Sequence, residues 1–171
     1  MIKKYAILLL AIFFLYTPLI ADSVLGGKNS PSGLIDNIGK KFTSYASGKK
    51  NILKAIKLEK KGKIKKANKL YKKALFYLIK ANKEKQLDPD ILNYLGFVNR
   101  KLGKLEDAEI YYLLGLNQNP KHNGINEHLG ELYLKTNRID KAKEQLKVLK
   151  NCNCEEFEEL KAAIKLVSSN N

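Results

Sequence analysis

From Leu92 onward the apolar residues fall three and four positions apart, and the whole arrangement then repeats. Leu92, Leu95 and Gly96 share one helical face, at i, i+3 and i+4. Gly103 interrupts that face, and Ala108, Tyr112 and Gly115 resume the spacing until Pro120, which lacks an N–H and disfavours helix in the residue before it. Leu129, Gly130 and Tyr133, then Ala142, Leu146 and Leu149, restate the pattern. Gly130 lies 34 residues after Gly96, and each glycine stands twelve residues before an alanine. A fainter copy precedes both, with Ala55 in the glycine's place, Gly62 at the turn, and Ala67, Tyr71 and Ala74 on the second helix. The turns align as Lys61-Gly62-Lys63-Ile64, Leu102-Gly103-Lys104-Leu105 and Thr136-Asn137-Arg138-Ile139. A unit of this length is one helix–turn–helix hairpin that cannot bury its apolar face alone, so the chain is expected to be an all-α stack of hairpins.

The pattern predicts helices over about 49–61, 64–86, 90–102, 105–117, 125–135 and 139–149. Gly96 has no side chain, so the paired helix can approach closely, with Ala108 expected opposite it and Tyr112 filling the space one turn on. Gly103 and, at the equivalent place, Asn137 suit a left-handed backbone. A last helix over 155–167 has Phe157, Leu160, Ile164 and Val167 as its apolar stripe. Its acids, Glu155, Glu156, Glu158 and Glu159, stand at the start and Lys161 and Lys165 follow, in accord with the helix dipole.

Leucine, Leu-Gly, an alanine twelve residues on, small or aromatic residues after it and a closing proline resemble the tetratricopeptide repeat family. The resemblance covers Gly48 to Val167 and implies a solenoid of three repeats, at about 48–88, 89–122 and 123–154, sealed by the helix at 155–167. Asn93-Tyr94-Leu95-Gly96, Gly130-Glu131-Leu132-Tyr133-Leu134 and the run from Cys154 to Ile164 look like small exported proteins of this family in Gram-negative bacteria. The family binds partners in a concave groove lined by the first helix of each repeat. Carried onto this chain, that groove comprises Lys49, Ile52, Leu53, Ile56, Glu59 and Lys60, then Asp90, Asn93, Tyr94, Phe97, Arg100 and Lys101. Glu127, His128, Glu131, Leu134 and Lys135 complete it. Leu53, Ile56 and Leu134 also read as packing residues. Asn93, Tyr94, Phe97, Arg100 and Lys101 mix aromatic, amide and guanidinium groups, as suits an extended peptide. The family's clamp on chaperone carboxyl tails needs Lys and Asn where Ile52 and Ile56 stand, which disfavours that role.

The chain opens with basic Lys3 and Lys4, an unbroken apolar run from Ala6 to Leu15, the helix breaker Pro18 and small Ala21. This order predicts a signal peptide over 1–21 and a periplasmic location. The alternative is an inner-membrane anchor formed by residues 5–21, which is at the short end of spanning length. Leu25 to Gly33 is rich in turn residues. With Gly39 and a basic, hydroxyl-rich stretch after it, residues 22–47 are expected to be a flexible linker, though a short helix over 34–45 is also compatible.

Charge separates the two halves. Residues 24–85 hold eighteen lysines against Asp36, Glu59 and Glu84, whereas residues 86–171 hold twelve Lys or Arg against thirteen acids. The formal excess of +15 therefore resides in the front half. Lys54, Lys57, Lys61, Lys65, Lys69 and Lys72 are expected to form a basic outer face on the first repeat, able to attract anionic partners.

Little in the chain suggests catalysis. Cys152 and Cys154 can close a small disulfide, remain thiols, or offer two ligands to a soft metal, although closed metal sites usually need about four. His122 and His128 are expected on the surface or in the groove, with no nucleophile or carboxylate at a recognised spacing. No phosphate loop or zinc motif is present, so no enzyme, cofactor or metal is expected. The leading reading is a non-catalytic cell-envelope scaffold, a monomer or weak homo-oligomer, that holds a protein or peptide segment. One alternative is binding of lipid headgroups or acidic glycans through the lysine face. A minor one is thiol or copper handling by Cys152 and Cys154. Export argues against nucleic acid as a partner.

Overall fold

The computed structural model describes the backbone of residues 31–169 and the side chains of residues 43–169. The expected signal segment lies outside the described residues. Seven helices follow in order: α1 Pro31–Glu59, α2 Ile64–Glu84, α3 Pro89–Lys101, α4 Leu105–Gln118, α5 Asn123–Lys135, α6 Ile139–Leu149 and α7 Glu155–Ser168. No strand occurs among the described residues. The chain is an all-α helical repeat, and the expected helix borders from residue 64 onward hold to within about two residues.

Each hairpin turn is made by the residue that sequence assigned to it. Gly62, Gly103 and Asn137 have φ of 68°, 81° and 59°, the left-handed region that a side chain with a β-carbon resists and asparagine tolerates. Between the first two hairpins the chain reverses at Leu87 and starts α3 at Asp88-Pro89. The Asp88 carboxylate accepts the Ile91 N–H at 3.1 Å, and Pro89 occupies the first helical turn, where its missing N–H costs nothing.

Helix α1 corrects the expected linker. It runs 29 residues from Pro31, so residues 31–47 are helical rather than a flexible connection to a helix beginning near Lys49. Packing at its described end explains why weak helix formers persist. Ser44 and Gly48 are buried, and a β-carbon on Gly48 would lie 2.9 Å from the Leu78 side chain of α2. Tyr45 meets the Tyr94 ring of α3 edge-on at 5.9 Å. Tertiary contact here outweighs the low propensity of glycine and serine.

The buried residues form two clusters. One joins Ile52 and Ala55 of α1, Ala67, Tyr71, Ala74, Leu78 and Ala81 of α2, and Leu92, Leu95 and Val98 of α3. The other joins Ala108 and Tyr112 of α4, Leu129, Leu132 and Tyr133 of α5, Ala142 and Leu149 of α6, and Leu160 and Ile164 of α7. The glycines match the close approaches, with different partners from those expected. A β-carbon on Gly96 would meet the Tyr112 ring at 2.3 Å, so Tyr112, not Ala108, sits over it. One on Gly130 would meet Leu160 of α7 at 2.5 Å. Side chains on helices point back toward the N-terminus, which brings the residue one turn beyond the alanine over the glycine.

Candidate functional site

The first helices of the three hairpins, α1, α3 and α5, stand side by side and cross-link through their polar and aromatic residues. At the α1–α3 seam, Lys49 lies over both Tyr45 and Tyr94, at 5.2 and 5.6 Å from the ring centroids. Further along, Glu59 accepts from the Tyr71 hydroxyl at 2.7 Å and from Lys101 Nζ at 3.1 Å. Burial pushes the Glu59 carboxyl up, but the hydrogen bonds from Tyr71 and Lys101 outweigh it and hold it below the usual carboxylate range. Phe97 is the centre of the face. Its ring touches Tyr71 at 6.3 Å and His128 at 5.2 Å, and both Arg100 and Lys101 lie 5.6 Å from its centroid.

The α3–α5 seam holds a polar array. His128 Nδ1 lies 2.9 Å from Asn93 Oδ1 and its Nε2 lies 3.1 Å from Glu127 Oε2. The amide oxygen can only accept, so Nδ1 carries the proton; Nε2 of a neutral ring must then accept, and Glu127 must be the donor. The electrostatics agree. Burial, reinforced by Glu131 against the pull of Arg100, raises Glu127 to about 8. Burial, with Arg100, His122 and Lys101 adding to it, lowers His128 to about 3. At neutral pH both groups are uncharged, and the contact is a hydrogen bond between neutral groups. Beside it, Arg100 Nη1 pairs with Glu131 Oε2 at 2.5 Å. Burial works against the Arg100 charge, and the ion pair with Glu131 favours it.

The residues expected to line the groove divide in two. Tyr94, Phe97, Arg100 and Lys101 are half-buried together on the α3 face, with Lys49 and Glu131 on either side, and Asp90, Lys60 and Lys135 are exposed. Ile52, Asn93 and Glu127 are buried, at 3%, 8% and 5% exposure, and serve the interior rather than an open surface. Ile56 and Leu134 pack against the two cores, while Leu53 is exposed. Of the histidines, His128 belongs to the groove, largely enclosed between Phe97 and Tyr112, and His122 caps α5, its Nδ1 accepting the Ile125 N–H at 3.2 Å.

Tyr45 belongs to this face and was missed, because its segment reads as linker. The signal was present: Tyr45, Lys49, Leu53 and Lys57 follow at four-residue steps, and they line one shallow cleft of about 560 Å³ with Ala46, Lys50 and Lys54. All six lysines of the expected basic face are exposed. Cys152 and Cys154 are joined in a disulfide just before α7. Among the described residues, no three His, Cys, Asp or Glu side chains group as a metal would require. No described helix is long and apolar enough to cross a membrane.

No protein-family model matches the chain. A TPR repeat-containing protein of Pseudomonas aeruginosa is 41% identical over 61 residues, which is 36% of this chain and 10% of that protein. The chain thus spans about a tenth of the length of that relative. Among solved structures, a tetratricopeptide repeat protein from Parabacteroides merdae superposes with a TM-score of 0.51 at 18% identity, covering 73% of this chain and 61% of that one. The Yersinia enterocolitica type III secretion chaperone SycD, in complex with a peptide of the translocator YopD, superposes more loosely. Its TM-score is 0.45 at 19% identity, over 70% of this chain and 87% of the other.

Proposed function

We propose that this chain, a tetratricopeptide repeat protein, acts as a non-catalytic scaffold that holds an extended protein segment on the face formed by α1, α3 and α5. One observation carries the reading. Tyr45, Tyr94 and Phe97 with Lys49, Arg100 and Lys101 form a continuous half-buried band across two neighbouring helices. Half-exposed rings and the planar fork of Arg100 supply large contact area, and aromatic residues and arginine dominate protein interfaces. The neutral Asn93–His128–Glu127 array beneath keeps the floor rigid without adding charge to it. The proposed setting is the cell envelope, as the first 21 residues suggest.

Photo-crosslinking from position 94 in intact cells, followed by identification of the captured protein, tests the reading. A single protein partner is expected, and the purified pair should dissociate faster when Tyr94→Ala is combined with Lys101→Ala, by about 2 kcal/mol or more if both are anchors. A partner that ignores both substitutions would remove the groove reading.

A second reading rests on the six exposed lysines of α1, α2 and the turn between them, which suit an anionic surface. Its mark is steep loss of binding with salt. Reversal of three of those lysines would then abolish binding that the groove substitutions leave intact.

A further inference from the structure

The first and last helices of the stack present matching stripes of opposite charge. On α1, Ala46, Lys50, Leu53 and Lys57 are exposed at helical spacing, on the side away from buried Gly48 and Ala55. On α7, which packs on α5 and α6, Glu155, Glu159, Ala162 and Leu166 follow at the same intervals. They too are exposed, on the side away from buried Leu160 and Ile164. Leu53 is 60% exposed and Leu166 65%, so each stripe offers one leucine beside its charges.

Neither set of charges is neutralised within the chain. Lys49, Lys50, Lys54 and Lys57 line the cleft of α1, and among the described residues no carboxylate pairs with any of them. Among the same residues no cation pairs with Glu155, Glu156 or Glu159, whereas Glu158 meets Lys161 at 3.4 Å. The Glu159 carboxyl is raised above its ordinary range by burial, to which Glu155, Glu131 and Glu156 add. A cation brought to α7 would relieve that repulsion, and an acid brought to α1 would meet four lysines. The chain's own first 30 residues have the wrong sign to cover α1, with Lys3, Lys4 and Lys28 against Asp22.

We propose that a second copy of this chain docks the acidic stripe of its α7 on the basic cleft of α1, so that copies join head to tail. The terminal faces of a repeat stack are polar, which normally keeps copies apart. Here the two polar faces have opposite signs and each carries an exposed leucine. The contact is heterologous, so every joined pair still has one basic and one acidic end to which further copies add. Tyr94, Phe97 and Lys101 of α3 lie outside both stripes, and each copy keeps that part of its groove open.

Sedimentation velocity of the purified full chain over the micromolar range, at low and high salt, tests this. At low salt the mean mass should climb past that of two chains with concentration, and high salt should weaken the association about tenfold or more. Leu53→Asp disables only the basic end, and Glu155→Lys with Glu159→Lys only the acidic end. Each variant alone should be a monomer of unchanged helicity, since all three positions are exposed. Mixed, the two should form a one-to-one dimer that grows no further, because one intact end of each kind remains. Lys50→Glu with Lys54→Glu should also be monomeric alone. Mixed with the Glu155→Lys, Glu159→Lys chain it should grow without limit, because both kinds of contact then join opposite charges. A monomer of the unaltered chain at every concentration overturns the proposal and leaves the α1 cleft to a different acidic protein. An assembly that survives Leu53→Asp, or an unaltered chain that stops at a dimer, overturns it too.

Discussion

Arg138 grips Glu109 with two parallel hydrogen bonds of 2.8 Å, tying the turn of the third hairpin to α4 of the second. Its Nε donates to Thr136 Oγ1 at 2.9 Å, and its guanidinium lies 4.5 Å from the Tyr133 ring centroid. Lysine keeps the charge but loses the fork and the stacking plane. Arg138→Lys should therefore cost about 1 kcal/mol in urea unfolding, a modest figure because both partners are partly solvated. The hydrogen bonds from Arg138 hold the Glu109 carboxyl below its ordinary range. Its contribution is thus present above the unfolded carboxylate pKa and lost as pH falls below it, and Arg138→Lys should flatten that acid limb.

Opposite slopes come from the polar array at the α3–α5 seam. Glu127, raised to about 8, stays protonated in the folded chain while its unfolded counterpart ionises near 4.5, so its contribution falls as pH rises between those values. His128, lowered to about 3, stays neutral while the unfolded ring protonates below 6.5, so its contribution falls as pH drops between 6.5 and 3. Around Glu127 stand Glu131, Arg100, Glu159 and Glu156, and around His128 stand Arg100, His122 and Lys101. The two slopes offset one another from about 4.5 to 6.5, and only the Glu127 slope remains from 6.5 to 8. Urea unfolding should show stability falling over that upper window by up to about 1.4 kcal/mol per pH unit. Glu127→Gln should remove the fall. An unchanged slope in that variant would mean that Glu127 is ionised in the folded chain.

Much of this architecture was legible because spacing along one helix is a local property. Gly96 and Ala108, Gly130 and Ala142, and the turn residues Gly62, Gly103 and Asn137 each announce a requirement that their own neighbours impose. Contacts between helices were less legible. Sequence placed Gly96 opposite Ala108, yet the Tyr112 ring fills that space, since helix rotation decides which side chain arrives. Thr43 to Ser47 read as linker because their stretch is basic and rich in hydroxyl residues, and nothing local reveals that Tyr94 waits to cover Tyr45. Glu127 read as a groove carboxylate for a similar reason. Its burial and its neutral bond to His128 depend on a helix 35 residues earlier, where Asn93 fixes the ring's proton.

Gly96→Ala tests the closest of these contacts. A single methyl directed 2.3 Å from the Tyr112 ring must displace ring or helix, so a loss of roughly 1–3 kcal/mol is expected. Adding Tyr112→Leu should recover part of it, an interaction that a double-mutant cycle in urea reads directly. By contrast Gly103→Ala meets no atom within 4 Å and pays only for its φ of 81°, about 1 kcal/mol.

The Cys152–Cys154 disulfide closes a very short loop. Loop entropy alone then gives about 1.5 kcal/mol, at the low end for such bonds. Reduction, or Cys152→Ser with Cys154→Ser, should lower stability by that amount at most. The loss should concentrate in hydrogen exchange of α7, which the bridged turn leads into. Global unfolding on reduction would contradict this.

The border between the two buried clusters falls inside the second hairpin, between α3 and α4, rather than between hairpins. Nearest-neighbour coupling governs how such arrays open. Contacts across this border include Gly96 with Tyr112, Gly115 with Leu92, and Tyr111 against the first cluster. Weakening them would leave residues 43–101 and 105–168 each with its own core, so the chain would melt as two units that part in the middle of a hairpin. Native-state hydrogen exchange would then show a foldon boundary at Leu102–Lys104, one that repeat counting alone would never place there.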